Sequence, residues 1–220
     1  MASSRFKFER ERLKQGFARI AGADEAGRGP LAGPVTAAVV CFPSTWIELG
    51  LPRKFHGLND SKQLTGDERD RYFQLLTSHP EVSFGVTRIE VEQIDTINIL
   101  RASLRGMLEA LEQLRPLPDH ILVDGPHIFS ALHSQTPIID GDAKSFSIAA
   151  ASVIAKVFRD KIMREYHEMY PDYGFDEHKG YPTARHLAAL RRYGVTALHR
   201  RTFAPVRACL LANRNGNDSL

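Results

Sequence analysis

The sequence predicts an α/β protein in which a mixed central sheet is flanked by helices, with a small helical part at the C-terminus. Three observations carry this prediction. Apolar or β-branched runs of strand length recur along the first 140 residues. Helically spaced apolar segments separate them. After residue 146 the pattern is helical throughout.

The elements follow in order. Arg19–Ala23 reads as a short strand ending at Asp24, and Pro34–Phe42 (PVTAAVVCF) as a second strand. Thr65–Ser78 reads as a helix, because Thr65 with Glu68 three residues on makes a capping box. Glu81–Glu90 alternates and reads as a third strand. Val91–Leu114 carries Ile94, Ile97, Leu100, Leu104, Leu108 and Leu111 at helical spacing and reads as one helix, stopped by Pro116 and Pro118. His120–Val123 is a fourth strand running into Asp124, and Thr136–Asp140 a fifth. Ser147–Tyr170 is a long helix ended by Pro171, and shorter helices fit Thr183–Tyr193 and Pro205–Asn213. These divide the chain into an N-terminal extension (1–17), an α/β unit (18–170) and a basic helical region (171–220).

Composition excludes several classes. With 43% apolar and 25% charged residues, the chain is neither disordered nor fibrous. No run approaches 18 apolar residues, so no membrane span is expected. The opening MASSRFKFERERLKQG lacks the apolar core of a secretory signal. Cys41 and Cys209 stand far apart and make no C-x-x-C pair, so a reduced, cytoplasmic chain is expected.

The net charge is only +3, but it is unevenly spread. From His178 to Asn217 there is no acid, and there are eight Lys or Arg residues, among them Lys179, Arg185, Arg191, Arg192, Arg200 and Arg201. A basic stretch carrying Tyr181 and Tyr193 suits a phosphate backbone, and equally a solvated helical face.

Acids collect at predicted strand ends. Asp24 and Glu25 follow the first strand, Asp124 ends the fourth, and Asp142 follows the fifth. Any one of them is explained as a turn or cap residue. Four together repel unless compensated, and divalent cations supply compensation. Spacing alone leaves Asp140 as an alternative to Asp142. The acid pair leads into Gly27-Arg28-Gly29, where small residues permit close backbone approach to a phosphate and Arg28 offers charge. Ser152, inside the long helix, reads as a packing residue.

Six blocks resemble the bacterial ribonuclease HII family: DEAGRGPLAGPV (24–35), LNDSKQLT (58–65), VDGPH (123–127), GDAKSFSIAAASVIAKVFRD (141–160), YGFDEHKGYPTARH (173–186) and HRRTFAPV (199–206). They are collinear over most of the chain. Phe146 and Phe158 depart from the pattern, standing where smaller or more variable residues are expected. The resemblance implies an RNase H-like fold. It implies hydrolysis of the RNA strand of RNA/DNA hybrids and nicking of duplex DNA 5′ to an embedded ribonucleotide, leaving a 3′-hydroxyl and a 5′-phosphate. It implies Mg²⁺ or Mn²⁺ on Asp24, Glu25, Asp124 and Asp142, which selects Asp142 over Asp140. It further assigns Gly27, Arg28 and Gly29 to the ribonucleotide, Tyr181 to its sugar, and Lys62 to a nearby phosphate. The basic residues named above become candidate contacts to the nucleic-acid backbone, and Lys144 and Ser145 candidate contacts to phosphate or to the acid cluster. The 23 residues before Asp24 are too few for the extra domain of the sister family, ribonuclease HIII. A monomer is the default, and a replication-clamp contact is left open. The alternatives are another RNase H-like nuclease that does not sense ribose, a non-catalytic nucleic-acid-binding module, and an α/β phosphate-binding enzyme. The last has no G-x-x-x-x-G-K-[ST] loop to support it.

Overall fold

The computed structural model describes residues 4–129 and 132–217. In chain order its elements are α1 (Lys7–Lys14), β1 (Ile20–Ala26), β2 (Val35–Cys41), α2 (Ser44–Leu49), α3 (Gly66–Ser78), β3 (Ser83–Ile89), α4 (Val91–Ile97) and α5 (Ile99–Leu111). There follow β4 (His120–Asp124), β5 (Gln135–Ile138), α6 (Gly141–Lys144), α7 (Phe146–Met169), α8 (Phe175–His178), α9 (Ala184–Tyr193) and α10 (Ala204–Asn217). The five strands form one mixed sheet in the order β3-β2-β1-β4-β5. β1, β2 and β3 pair antiparallel, whereas β4 runs parallel to both β1 and β5.

Alternation along the strands sorts side chains onto two faces. Ala38 and Val40 of β2 join a core with Ala150, Ala151, Val153 and Ile154 of α7, while Ala37, Val39 and Cys41 face Met107, Ala110 and Leu111 of α5. Each fully buried Val, Leu or Ile here contributes about 1.5–3 kcal/mol. α7 begins where the Ser145 hydroxyl accepts the Ile148 N–H, and it stops at Tyr170, before Pro171. It lies close on β1 because Gly22 has no side chain: a Cβ there would sit 2.2 Å from the Ser147 carbonyl carbon.

The capping box at Thr65 and Glu68 is present as the sequence predicts. The helix predicted over Val91–Leu114 is instead two. Asn98 takes φ +68°, ends α4, and accepts the Arg101 N–H to start α5. Periodicity could not expose this break, because the apolar spacing continues across it. α1, α2, α6 and α8 lie outside the helices the sequence predicts, all four being of eight residues or fewer.

Gly22→Ala is expected to cost more than the ~1–3 kcal/mol of ordinary overpacking, because rigid backbone opposes the new methyl. Gly66→Ala, in open space at the start of α3, is expected to stabilise by up to ~1 kcal/mol. Urea unfolding of the two variants checks both signs.

Candidate active site

The parallel pairing of β1 with β4 runs through Ala23↔Val123. One residue further on, Asp24 and Asp124 therefore stand side by side. Asp124 ends β4, but β1 runs on to Ala26, so Asp24 and Glu25 lie within the strand, paired with β2, and not beyond it as expected from the sequence. Asp124 Oδ1 accepts the Gly141 N–H at 2.7 Å, which fixes the α6 turn against β4 and brings Asp142 beside it. Asp142 is buried and Asp140 is exposed in a left-handed turn, so exposure separates the two candidates that spacing left open. Lys62 Nζ donates to Asp142 Oδ2 at 3.0 Å, and Arg28 pairs with Glu25 at 3.2 Å.

A cleft of about 220 Å³ opens over Asp24, Glu25 and Asp124, while Asp142, bonded to the lining residue Lys62, lies outside the lining. Its lining includes Asp24, Glu25, Asp124, Lys62, the Gly27–Gly29 turn and Tyr181. Ser152, Lys156 and Arg159 line it from α7, at i, i+4 and i+7 on one helix face. Ser152, expected as a packing residue, shares a 2.8 Å hydrogen bond with Ser61 at the cleft wall.

Two buried arginines hold the glycine turn. Arg200 donates to the carbonyls of Gly27 (2.6 Å), Arg28 (3.0 Å) and Gly33 (3.0 Å). Arg159 donates to those of Ala32, Pro34 and Lys179. Both are fully buried with carbonyls as their acceptors, and burial pulls their pKa values down to about 9 for Arg200 and about 10 for Arg159. Gly27 has φ +98°, and a Cβ there would meet Arg159 Nε at 2.1 Å, so the turn and the guanidinium fit only with glycine. This corrects the expectation that Arg200 lies along a nucleic-acid backbone: its side chain is spent on the protein's own carbonyls. Sequence reasoning had no signal for its partners, which lie about 170 residues away.

Tyr181 stands half-exposed against Gly29 and is tied to the C-terminal helices through histidines. The Thr196 N–H donates to His199 Nδ1, so the proton of His199 sits on Nε2. That nitrogen donates to His186 Nε2 at 3.1 Å, leaving His186 Nδ1–H to donate to the Tyr181 carbonyl at 3.0 Å. His178 stacks on His186. Burial lowers the pKa of all three, to about 4 for His199. The chain of neutral rings fixes the Tyr181 backbone.

The other basic candidates separate. Arg191, Arg192 and Arg201 are exposed. Arg185 is exposed and paired with Glu177. Lys179 is half-buried, with its ammonium on the Asp176 carbonyl. Lys144 is exposed and donates to the Ile139 carbonyl, outside the cleft lining. Ser145 is wholly buried as the α7 cap, which corrects its expected reach to phosphate.

Burial first, then the charges of Glu25, Asp124 and Asp142, push the Asp24 carboxyl well above its usual range. Burial raises Glu25 against the pull of Arg28, and burial with Asp142 raises Asp124. Partial burial works against the Lys62 charge, but the hydrogen bond to Asp142 and the surrounding acids outweigh it and hold the ammonium above its ordinary range. An all-oxygen, over-negative donor set suits a hard divalent cation. Among the described residues no three groups close into a ready cage. Mg²⁺ ordinarily uses one or two carboxylates plus substrate phosphates, so an open set is adequate.

Asp24→Asn is expected to raise the melting temperature of the metal-free protein. A carboxyl whose folded pKa is raised costs stability while charged, and the cost vanishes as pH falls and the proton binds. The gain is therefore larger at pH 8 than at pH 5, by about 2–4 °C for each ~1 kcal/mol of repulsion relieved. Melts in EDTA at both pH values check the sign, and a variant no more stable than wild type at pH 8 contradicts it.

The ribonuclease HII family profile matches residues 21–206. Ribonuclease HII of Chlamydia trachomatis serovar L2 is 49% identical over 203 residues, covering 91% of this chain and 88% of the relative. The crystal structure of ribonuclease H2 from Pyrococcus horikoshii superposes with a TM-score of 0.74 at 29% identity, over 89% of this chain and 99% of that one. Ribonuclease HII in its complex with PCNA from Archaeoglobus fulgidus gives 0.66 at 23% identity, over 84% of this chain and 95% of that one. With the acid-lined cleft on an RNase H-like fold, these matches establish that the chain belongs to the ribonuclease HII family, enzymes that hydrolyse the RNA strand of RNA/DNA hybrids.

Proposed function

We propose that this cleft cuts RNA in hybrids and also nicks duplex DNA 5′ to a single ribonucleotide, leaving a 3′-hydroxyl and a 5′-phosphate. Mg²⁺ or Mn²⁺ on Asp24, Glu25, Asp124 and Asp142 is part of the proposal. One observation carries it: the mutually repelling carboxyls of Asp24, Glu25 and Asp124 share a cleft with a glycine turn and a half-exposed tyrosine. Two cations held by these acids would supply an activated water and charge stabilisation for the departing 3′ oxygen.

The chain's own residues do the rest. The backbone of Gly27–Gly29, held by Arg200 and Arg159, presents polar groups to the ribonucleotide without side chains in the way. Tyr181 covers the sugar, and its placement is supported by the histidine chain. Lys62 is set to release Asp142 for the cation and to meet a substrate phosphate, since both are anionic. Arg191, Arg192, Arg201 and, with Glu177 displaced, Arg185 follow the duplex backbone without reading sequence. A sliding-clamp contact belongs to the same proposal, with the chain acting as a single copy in the cytoplasm.

The decisive experiment uses DNA duplexes with and without one ribonucleotide, each with EDTA, Mg²⁺ or Mn²⁺. Metal-dependent nicking of the first only, lost in Asp124→Asn, is expected. Tyr181→Ala should narrow the ribose-over-deoxyribose preference by at least about tenfold, within the 10⁴–10⁵ available to a site built around a hydroxyl. Binding should weaken with salt at a log–log slope of about −3 to −4 if four cations reach phosphates. Cleavage of long hybrid without nicking would remove the single-ribonucleotide activity. Binding without any cleavage would leave only a nucleic-acid-binding module.

A further inference from the structure

The family match begins at residue 21, yet the segment before it reaches the acid site. Arg5 Nη1 donates to the Leu58 carbonyl at 3.0 Å and to Asn59 Oδ1 at 2.8 Å, and Nη2 donates to the Asp142 carbonyl at 2.6 Å. One guanidinium thus joins the two loops that meet at the Lys62–Asp142 pair. Its Cζ lies 4.9 Å from the centroid of the Phe146 ring, and Phe146 in turn meets the fully buried Phe6 edge-on at 5.0 Å. This contact gives Phe146 a task.

Four residues beyond Arg5, Glu9 is wholly buried. Its Oε1 accepts the Ser145 hydroxyl at 2.6 Å and the Ser147 N–H at 3.2 Å. The N-terminal segment therefore grips the chain on both sides of Phe146, within five residues of Asp142. A lysine could not replace Arg5: a single ammonium has no planar fork to reach acceptors on both loops.

We propose that Arg5, seated on Phe146 and anchored through Glu9, is a positioning residue that clips the Leu58–Lys62 loop to the Asp142 turn and thereby sets the affinity of the acid cluster for a divalent cation. The proposal rests on the reading of that cluster as a cation site. Groups behind metal ligands commonly govern affinity by 10- to 100-fold.

The test titrates Mn²⁺ into the full chain without nucleic acid, read by electron paramagnetic resonance of the free ion, beside the Mn²⁺ dependence of hybrid cleavage. Arg5→Ala is expected to weaken Mn²⁺ binding by about tenfold or more. The half-saturating Mn²⁺ for cleavage should shift by the same factor, with KM for the hybrid unchanged. Arg5→Lys should fall between, and Phe146→Leu should shift in the same direction by less. Lys7→Ala, exposed on α1, should match wild type. If Arg5→Ala does not fold, Arg5→Lys and Phe146→Leu decide. Lowered melting temperatures with wild-type Mn²⁺ dependence would overturn the clip and leave Arg5 a mere anchor for α1. Asp142→Asn separates the two readings. If it loses Mn²⁺ binding while the Arg5 variants do not, only the clip fails. If it binds as wild type does, the cation-site reading fails first.

Discussion

Four carboxyl groups crowd together on β1, at the end of β4 and on the α6 turn, and the rest of the structure holds them there against their repulsion. The parallel pairing of two strands sets Asp24 beside Asp124. A backbone hydrogen bond from Gly141 then draws in the turn that carries Asp142. None of these contacts neutralises the cluster. Lys62 compensates one acid and Arg28 another, while the buried Asp24 is left to a raised pKa. On the proposal that a cation binds here, stability given up in this way would be recovered on binding, and the same repulsion would contribute to the affinity.

The opposite sign governs the facing wall. Among the described residues Arg159 and Arg200 form no ion pair, and their charge is solvated by carbonyl oxygens of the glycine turn and its surroundings. A guanidinium satisfied by carbonyls spaced along a turn also dictates the path of that turn. The wall that would receive a ribonucleotide is therefore rigid for electrostatic reasons, although it is built from glycines. The neutral histidine chain adds the Tyr181 backbone to the same rigid unit.

The N-terminal segment completes the arrangement from a third side. It joins the Lys62 loop to the Asp142 turn through one guanidinium, so three stretches remote in sequence converge on one ion pair. Acid cluster, glycine wall and clip use arginine differently, and in the last two it orders backbone instead of pairing with acids.

Strand runs, the Thr65 capping box, the long helix and the positions of the acids were legible in the sequence, because local periodicity and capping report which face is buried and where an element begins. The motif blocks likewise placed Gly27–Gly29 and Tyr181 as candidates. Tertiary structure decided the rest. It separated Asp142 from Asp140 by exposure, broke the helix at Asn98 through one left-handed residue, and turned Arg200 from a presumed surface cation into a buried clamp. It also gave Arg5 and Phe146 a place at the site. The break at Asn98 was hidden because the apolar spacing runs across it. For the charged groups the reason is that periodicity records whether a residue is inside or outside, whereas a charged group's role depends on partners that chain folding brings from as far as about 170 residues away.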